Sequence, residues 1–139
     1  MNILFLCVGN SARSQIAEAL AKDMMPKSFD IRSAGSNPSA KIHDNAISVM
    51  AKVGIDIKNK ETKSIYSIEK DFINNLDYVI TLCNEEICPV VPNATKVLNW
   101  PNEDPDNDSY SILQLENAFL KTRNDIYKLL KKFIVTENI

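Results

Sequence analysis

Cysteine, histidine and glycine are scarce in this 139-residue chain, at three, one and three residues. The three cysteines, Cys7, Cys83 and Cys88, are an odd number that cannot close into a paired structural framework. In a reducing compartment such thiols read as free, catalytic or metal-binding. A zinc site is disfavoured, because the one histidine, His43, is distant in sequence and no Cys-x-x-Cys spacing occurs. His43 itself reads as a structural or solvated residue on the outer part of a helix. Excess charge of one sign is also missing. Sixteen basic residues face 18 acidic ones for a net charge of −2, which argues against nucleic acid as a partner. An anionic ligand would have to be drawn by a local site, not by the global field. No apolar run approaches the ~20 residues that span a bilayer. The apolar stretch Ile3 to Val8 is short and runs into Gly9-Asn10-Ser11 without a cleavage-type segment. Neither membrane insertion nor a signal peptide is expected, and the expected location is the cytoplasm.

What is present fits one domain over residues 1–139, long enough to bury a core without disulfides or a structural metal. Repeats, low-complexity tracts and linkers are lacking. The continuous apolar run Asn2 to Leu6 suits a buried strand of a parallel sheet. After a small, polar stretch from Cys7 to Arg13, apolar residues recur at helical spacing from Ser14 to Met24, and Pro26 stops them. A second strand is expected over Phe29 to Ala34. A second helix should turn Ile42, Ala46, Ile47, Met50 and Val53 inward and end at Gly54. Residues 58–67 read as irregular, Ile68 to Asn75 as a short helix, Asp77 to Leu82 as a third strand and Lys96 to Asn99 as a fourth. The last helix should run from Ser111 to Phe133, with Ile112, Leu115, Phe119, Ile126, Leu129, Leu130 and Phe133 inward. Strands alternating with helices predict an α/β fold, a parallel sheet covered on both faces. Ligands of such sheets bind outside the carboxyl ends of the strands. The loops after the first, third and fourth strands hold all three cysteines and an acidic cluster at 102–106.

The segment Cys7-Val8-Gly9-Asn10-Ser11-Ala12-Arg13-Ser14 is a Cys-x5-Arg-Ser pattern between a strand and a helix. A loop that wraps an anion aims successive backbone N–H groups inward, and Gly9 is expected to permit that shape. The helix that follows adds its positive end. Arg13 can bind two oxygens of a tetrahedral anion with its planar fork. Cys7, at the lip of this positive cup, is favoured as a thiolate nucleophile, with Asn10 and Ser14 as donors that hold the sulfur.

This loop resembles the signature loop of the low-molecular-weight phosphotyrosine phosphatase superfamily, which includes the thioredoxin-coupled arsenate reductases. The resemblance extends through Arg-Ser-Ala-Gly at 32–35, Thr-Leu-Cys at 81–83 and Trp-Pro-x-x-Asp-Pro at 100–105. It implies a three-layer αβα fold around a four-stranded parallel sheet of order 2-1-3-4. In that order Cys7 and Cys83 follow neighbouring strands, whose ends lie ~5 Å apart, within the roughly 4.4–6.8 Å that a disulfide requires between Cα atoms. Asp104, which composition alone would leave as a solvated turn residue, takes the family's role of general acid. Glu103 and Asp106 are expected to be solvated. Cys83 and Cys88 match the resolving thiols of the arsenate reductases.

The implied reaction has Cys7 attack arsenate, Cys83 attack Cys7, and Cys88 attack Cys83, with thioredoxin or a similar dithiol reducing the last disulfide. No organic cofactor is needed. Some members hold a potassium ion beside the loop, and Asn10, Glu18 and Ser33 match its ligand positions. Lys63 and Ser64 stand where an acidic ligand is expected, and a lysine ammonium could replace the cation. A monomer is expected. Two rivals remain open: a protein tyrosine phosphatase using only Cys7, Arg13 and Asp104, and a non-enzymatic oxyanion or thiol sensor. Against the first, Asp106 stands where those phosphatases usually carry an aromatic residue.

Overall fold

In the computed structural model, which describes residues 1–84, 91 and 96–139, four parallel strands form one sheet. They are β1 (Asn2–Cys7), β2 (Asp30–Gly35), β3 (Tyr78–Thr81) and β4 (Lys96–Asn99), in the order β2-β1-β3-β4. The helices are α1 (Arg13–Met24), α2 (Asp44–Ala51), α3 (Lys70–Asn74) and α4 (Ile112–Thr136), with a single 3-10 turn at Ile65–Ser67. Among the described residues no helix is long and apolar enough to cross a membrane.

β1 is central and pairs on both sides, so its side chains are buried whichever way they point. This is why its sequence is a continuous apolar run and not an alternating one. Ile3 and Phe5 enter the larger core with Ile16, Ala17 and Leu20 of α1, Val49 and Met50 of α2, and Phe119, Ile126, Leu130 and Phe133 of α4. Leu4 and Leu6 face the opposite way, into a smaller core with Phe72 of α3, Leu76 and Val79. Three helices thus cover one face of the sheet, and the short α3 with the 3-10 turn covers the other.

Two residues expected inside are outside. Val53 is 47% exposed, because α2 stops at Ala51 and the chain turns through Gly54 at φ +78°. Ile112 is 82% exposed. It is the first residue of α4 and precedes the part of that helix that meets the sheet. β4 is a short edge strand whose side chains are mostly exposed.

Candidate active site

The site lies at the carboxyl end of β1, where parallel strands deliver their loops. Cys7 ends β1 and is buried, at 2% exposure. The loop after it is shaped from outside. Its Val8, Gly9 and Ser11 carbonyls accept hydrogen bonds from the backbone N–H groups of Asn37, Ser39 and His43 at 3.0, 2.9 and 2.9 Å. Carbonyls held outward leave the loop's amides to face inward, the arrangement that binds an anion. α1 begins at Arg13 with Ala12 at its cap position and no capping side chain. Its first N–H groups are therefore open to an anion.

Asn10, not Gly9, has the left-handed backbone conformation, at φ 50°. Asparagine tolerates this region better than most residues. Its side chain is fully buried and organises the loop. The Asn10 Oδ1 accepts from the Lys63 backbone N–H at 2.8 Å and from Gln15 Nε2 at 3.0 Å. Its Nδ2 then donates to Ser14 Oγ at 2.8 Å and Ser33 Oγ at 3.0 Å. Ser14 Oγ also shares a hydrogen bond with Cys7 Sγ, 2.8 Å away. The Asn10 backbone N–H donates to the sulfur at 3.2 Å. A serine hydroxyl can donate to a thiolate, so both groups suit one. At Gly9 a Cβ would meet only serine hydroxyls, Ser39 Oγ at 2.8 Å and Ser11 Oγ at 3.3 Å.

Arg13 is 4% exposed. Its Nη1 donates to the carbonyls of Asn102 at 2.9 Å and Leu82 at 3.4 Å, and its Nη2 lies 3.8 Å from Asp104 Oδ2. The guanidinium thus joins the first loop to the ends of β3 and β4. The loop bearing Asp104 is anchored at its base, where the Trp100 N–H donates to Thr81 O and the Asn102 N–H to Leu82 O, at 2.8 and 3.1 Å. The Trp100 ring packs between Phe5 and Phe133. Cys7, Val8, Gly9, Ser11, Ala12, Arg13, Asn37, Ser39, Asp104 and Asp106 line one cavity of about 320 Å³. Asn37, Ser39 and Asp106 are additions to the residues expected from sequence. Asp106 is exposed, in line with the solvated position expected of it, and also borders the cavity. Asn37 and Ser39 sit in a polar loop with no motif of its own.

Cys83 lies just beyond β3, buried and disulfide-bonded, whereas Cys7 is a free thiol. Cys88 lies outside the described residues. His43 is not on the outer part of α2 but caps its first turn: its Nδ1 accepts from the Asn45 N–H at 3.0 Å.

The positions matched to a potassium site do not fit that ion. Asn10 turns its amide nitrogen, not its oxygen, toward Ser33. The buried Glu18 carboxylate accepts from Ser33 Oγ at 2.8 Å and from Lys22 Nζ at 3.0 Å, and Lys63 Nζ stands 3.7 Å from it. Two ammonium groups already outweigh the one carboxylate, and a third cation there would meet repulsion. Among the described residues, no group of three His, Cys, Asp or Glu side chains is placed to hold a metal ion.

Known proteins resemble this chain in sequence and fold. The chain is 38% identical to the arsenate reductase of Bacillus subtilis (strain 168), over 96% of this chain and 95% of that protein. It is 35% identical, with the same coverage, to the arsenate reductase of Shouchella clausii. Among solved structures, an arsenate reductase in its phosphate-binding state superposes with a TM-score of 0.80 at 28% identity, covering 98% of each chain. A thioredoxin-dependent arsenate reductase of Corynebacterium glutamicum gives 0.69 at 30% identity, covering 97% of this chain and 62% of that one. A sequence model of low molecular weight phosphotyrosine protein phosphatases matches residues 2–134, and the chain belongs to that family.

Proposed function

We propose that this protein is an arsenate reductase that uses Cys7 as nucleophile and a Cys7–Cys83–Cys88 thiol relay, re-reduced by thioredoxin or a similar dithiol. The observation that carries this reading is the setting of Cys7 Sγ. It accepts from the Asn10 N–H and shares a hydrogen bond with Ser14 Oγ, inside a cavity that Arg13 and Asp104 also line. A phosphatase needs no more than this. Cys83 beside the end of β3, and relatives that are arsenate reductases over nearly their whole length, favour reduction.

The cycle runs on the reduced enzyme. The loop amides and Arg13 hold arsenate. The Cys7 thiolate attacks arsenic, an As–S bond forms, and a hydroxyl leaves as water with a proton from Asp104. The Cys83 thiolate then attacks the Cys7 sulfur. The As–S electron pair stays on arsenic, which falls from the +5 to the +3 state and departs as arsenite. The Cys88 thiolate attacks Cys83, and Cys7 leaves as a thiolate. A dithiol carrier returns two electrons to the Cys83–Cys88 disulfide. The cytoplasm, where thiols are kept reduced, suits this relay. No step uses a metal ion or an organic cofactor.

The test is NADPH consumption by purified protein with arsenate, thioredoxin and thioredoxin reductase, beside hydrolysis of p-nitrophenyl phosphate. Arsenate-dependent oxidation of NADPH is expected. Cys88→Ser should turn over once and stop with Cys7 linked to Cys83, read by mass spectrometry of peptides. A variant that cycles normally with thioredoxin would overturn the relay. Hydrolysis of the phosphate ester with no arsenate-dependent oxidation would make the protein a phosphatase.

A further inference from the structure

His43 and Asp106 meet beside the site although they lie 63 positions apart in the sequence, and the chemistry proposed above uses neither. His43 Nε2 stands 3.3 Å from Asp106 Oδ1. The histidine is fixed on three other sides. Its backbone N–H donates to Ser11 O of the anion loop at 2.9 Å. Its Nδ1 accepts from the Asn45 N–H. Its ring packs on Phe119, with centroids 4.5 Å apart, and Phe119 is fully buried. Because Nδ1 is an acceptor, the neutral ring must carry its proton on Nε2. That is the atom facing Asp106. The Asp106 N–H in turn donates to Asp104 Oδ1 at 3.0 Å, and Asp104 Oδ2 faces Arg13. One chain of contacts therefore runs from the rigid end of α2, through Asp106, to the carboxyl group assigned as the acid.

The contact also answers an electrostatic difficulty. Asp106 lines the cavity that would receive an oxyanion, where an unpartnered carboxylate would repel the substrate. The 3.3 Å contact with His43 Nε2 holds that carboxylate toward α2. Asp104 is 52% exposed on its side chain, so packing alone does not fix it.

We infer that His43 and Asp106 are positioning residues: a latch between the anion loop and the Asp104 loop that holds the Asp104 carboxyl group over Cys7. The inference rests on the proposed role of Asp104, and it concerns residues that the Cys-x5-Arg and Asp-Pro motifs do not include.

Four variants test the latch in the arsenate assay. Asp106→Ala should lower kcat roughly tenfold and should not raise KM, because it removes a negative charge from the cavity wall. Asp106→Asn keeps an oxygen facing His43 Nε2 and removes the charge, so kcat should be retained and KM should fall. His43→Asn keeps a capping side chain for α2 but cannot reach Asp106. It should lower kcat like Asp106→Ala while raising KM. In Asp104→Asn, adding Asp106→Ala should cost nothing more, since both act through one group. A kcat for Asp106→Ala within twofold of the wild type, or effects of Asp104→Asn and Asp106→Ala that multiply, would overturn the latch. Should the wild type show no activity, the functional reading fails, and the contact is judged by spectroscopy. The lone histidine gives unambiguous imidazole signals in long-range ¹H–¹⁵N spectra. The Nδ1 cap should keep the Nε2–H tautomer in both variants, while the Nε2 and Nε2–H resonances should stay near the wild-type positions in Asp106→Asn and shift in Asp106→Ala. Identical spectra for wild type and Asp106→Ala would overturn the contact itself.

Discussion

Gly35 shows how a single position can decide the shape of the site from outside it. It ends β2 opposite Cys7, and a Cβ added there would fall 2.2 Å from the Val8 carbonyl oxygen and 3.1 Å from the Asn10 backbone nitrogen. These atoms are backbone, so no flexible side chain can yield. Gly35→Ala must push the loop away from β2, shifting the carbonyls that face outward and with them the Cys7 donors. Overpacking of this kind costs about 1–3 kcal/mol, measurable as a lower urea midpoint. The variant should also lose arsenate protection of Cys7 against iodoacetamide. Retained protection would place the loop's geometry under other control. The motif Arg-Ser-Ala-Gly was visible in the sequence, but the reason for its glycine was not, because it lies in a contact between the end of β2 and the loop after β1. Gly9 and Asn10 show the converse. Composition points to the glycine as the residue that bends the loop, yet the left-handed turn falls on Asn10. The asparagine is retained there by four side-chain hydrogen bonds, which no local pattern encodes.

At the scale of elements, the strands and long helices could be read from hydrophobic pattern because each has a consistent burial partner. β1 is buried on both sides, and α4 presents Phe119, Ile126, Leu130 and Phe133 at helical spacing to the sheet. Reading failed where pattern and partner separate. Val53 continues the apolar spacing of α2 beyond the helix, and Ile112 precedes the face that packs. The 3-10 turn at Ile65–Ser67 is held by Ser64 Oγ accepting from the Tyr66 N–H, a contact too local for any periodicity to reveal. The start of α4 is set by a reciprocal cap: Ser111 Oγ accepts from the Gln114 N–H at 3.2 Å, and Gln114 Oε1 accepts from the Ser111 N–H at 2.8 Å. With most of the first turn exposed, little tertiary packing substitutes for it. Ser111→Ala should lower stability by about 1 kcal/mol, seen as a shifted urea midpoint at constant slope. An unchanged midpoint would mean that packing further along α4 sets the helix start.

For the molecule as a whole, near-balanced charge leaves anion attraction to the site and makes the buried carboxylate of Glu18 the main electrostatic problem outside it. The strand order was legible only through resemblance to the phosphatase superfamily, since parallel neighbours lie far apart in sequence. The same is true of the Glu18 cluster, which joins α1, β2 and the segment around Lys63. That segment is itself tied to the sheet by the Gly35 N–H donating to Lys63 O at 2.9 Å. With Lys22 and Lys63 both near Glu18, the protein supplies its own cations. Replacing potassium with sodium or choline at constant ionic strength should therefore leave kcat, KM and the melting temperature unchanged. Lys63→Gln tests the cause. Lys63 is partly exposed and Lys22 remains, so its loss should cost only about 1 kcal/mol. It should also open a coordination position beside Glu18, so that potassium raises the melting temperature of the variant more than choline does. A wild type that melts higher or reacts faster in potassium would show that the lysine ammonium does not stand in for a metal ion.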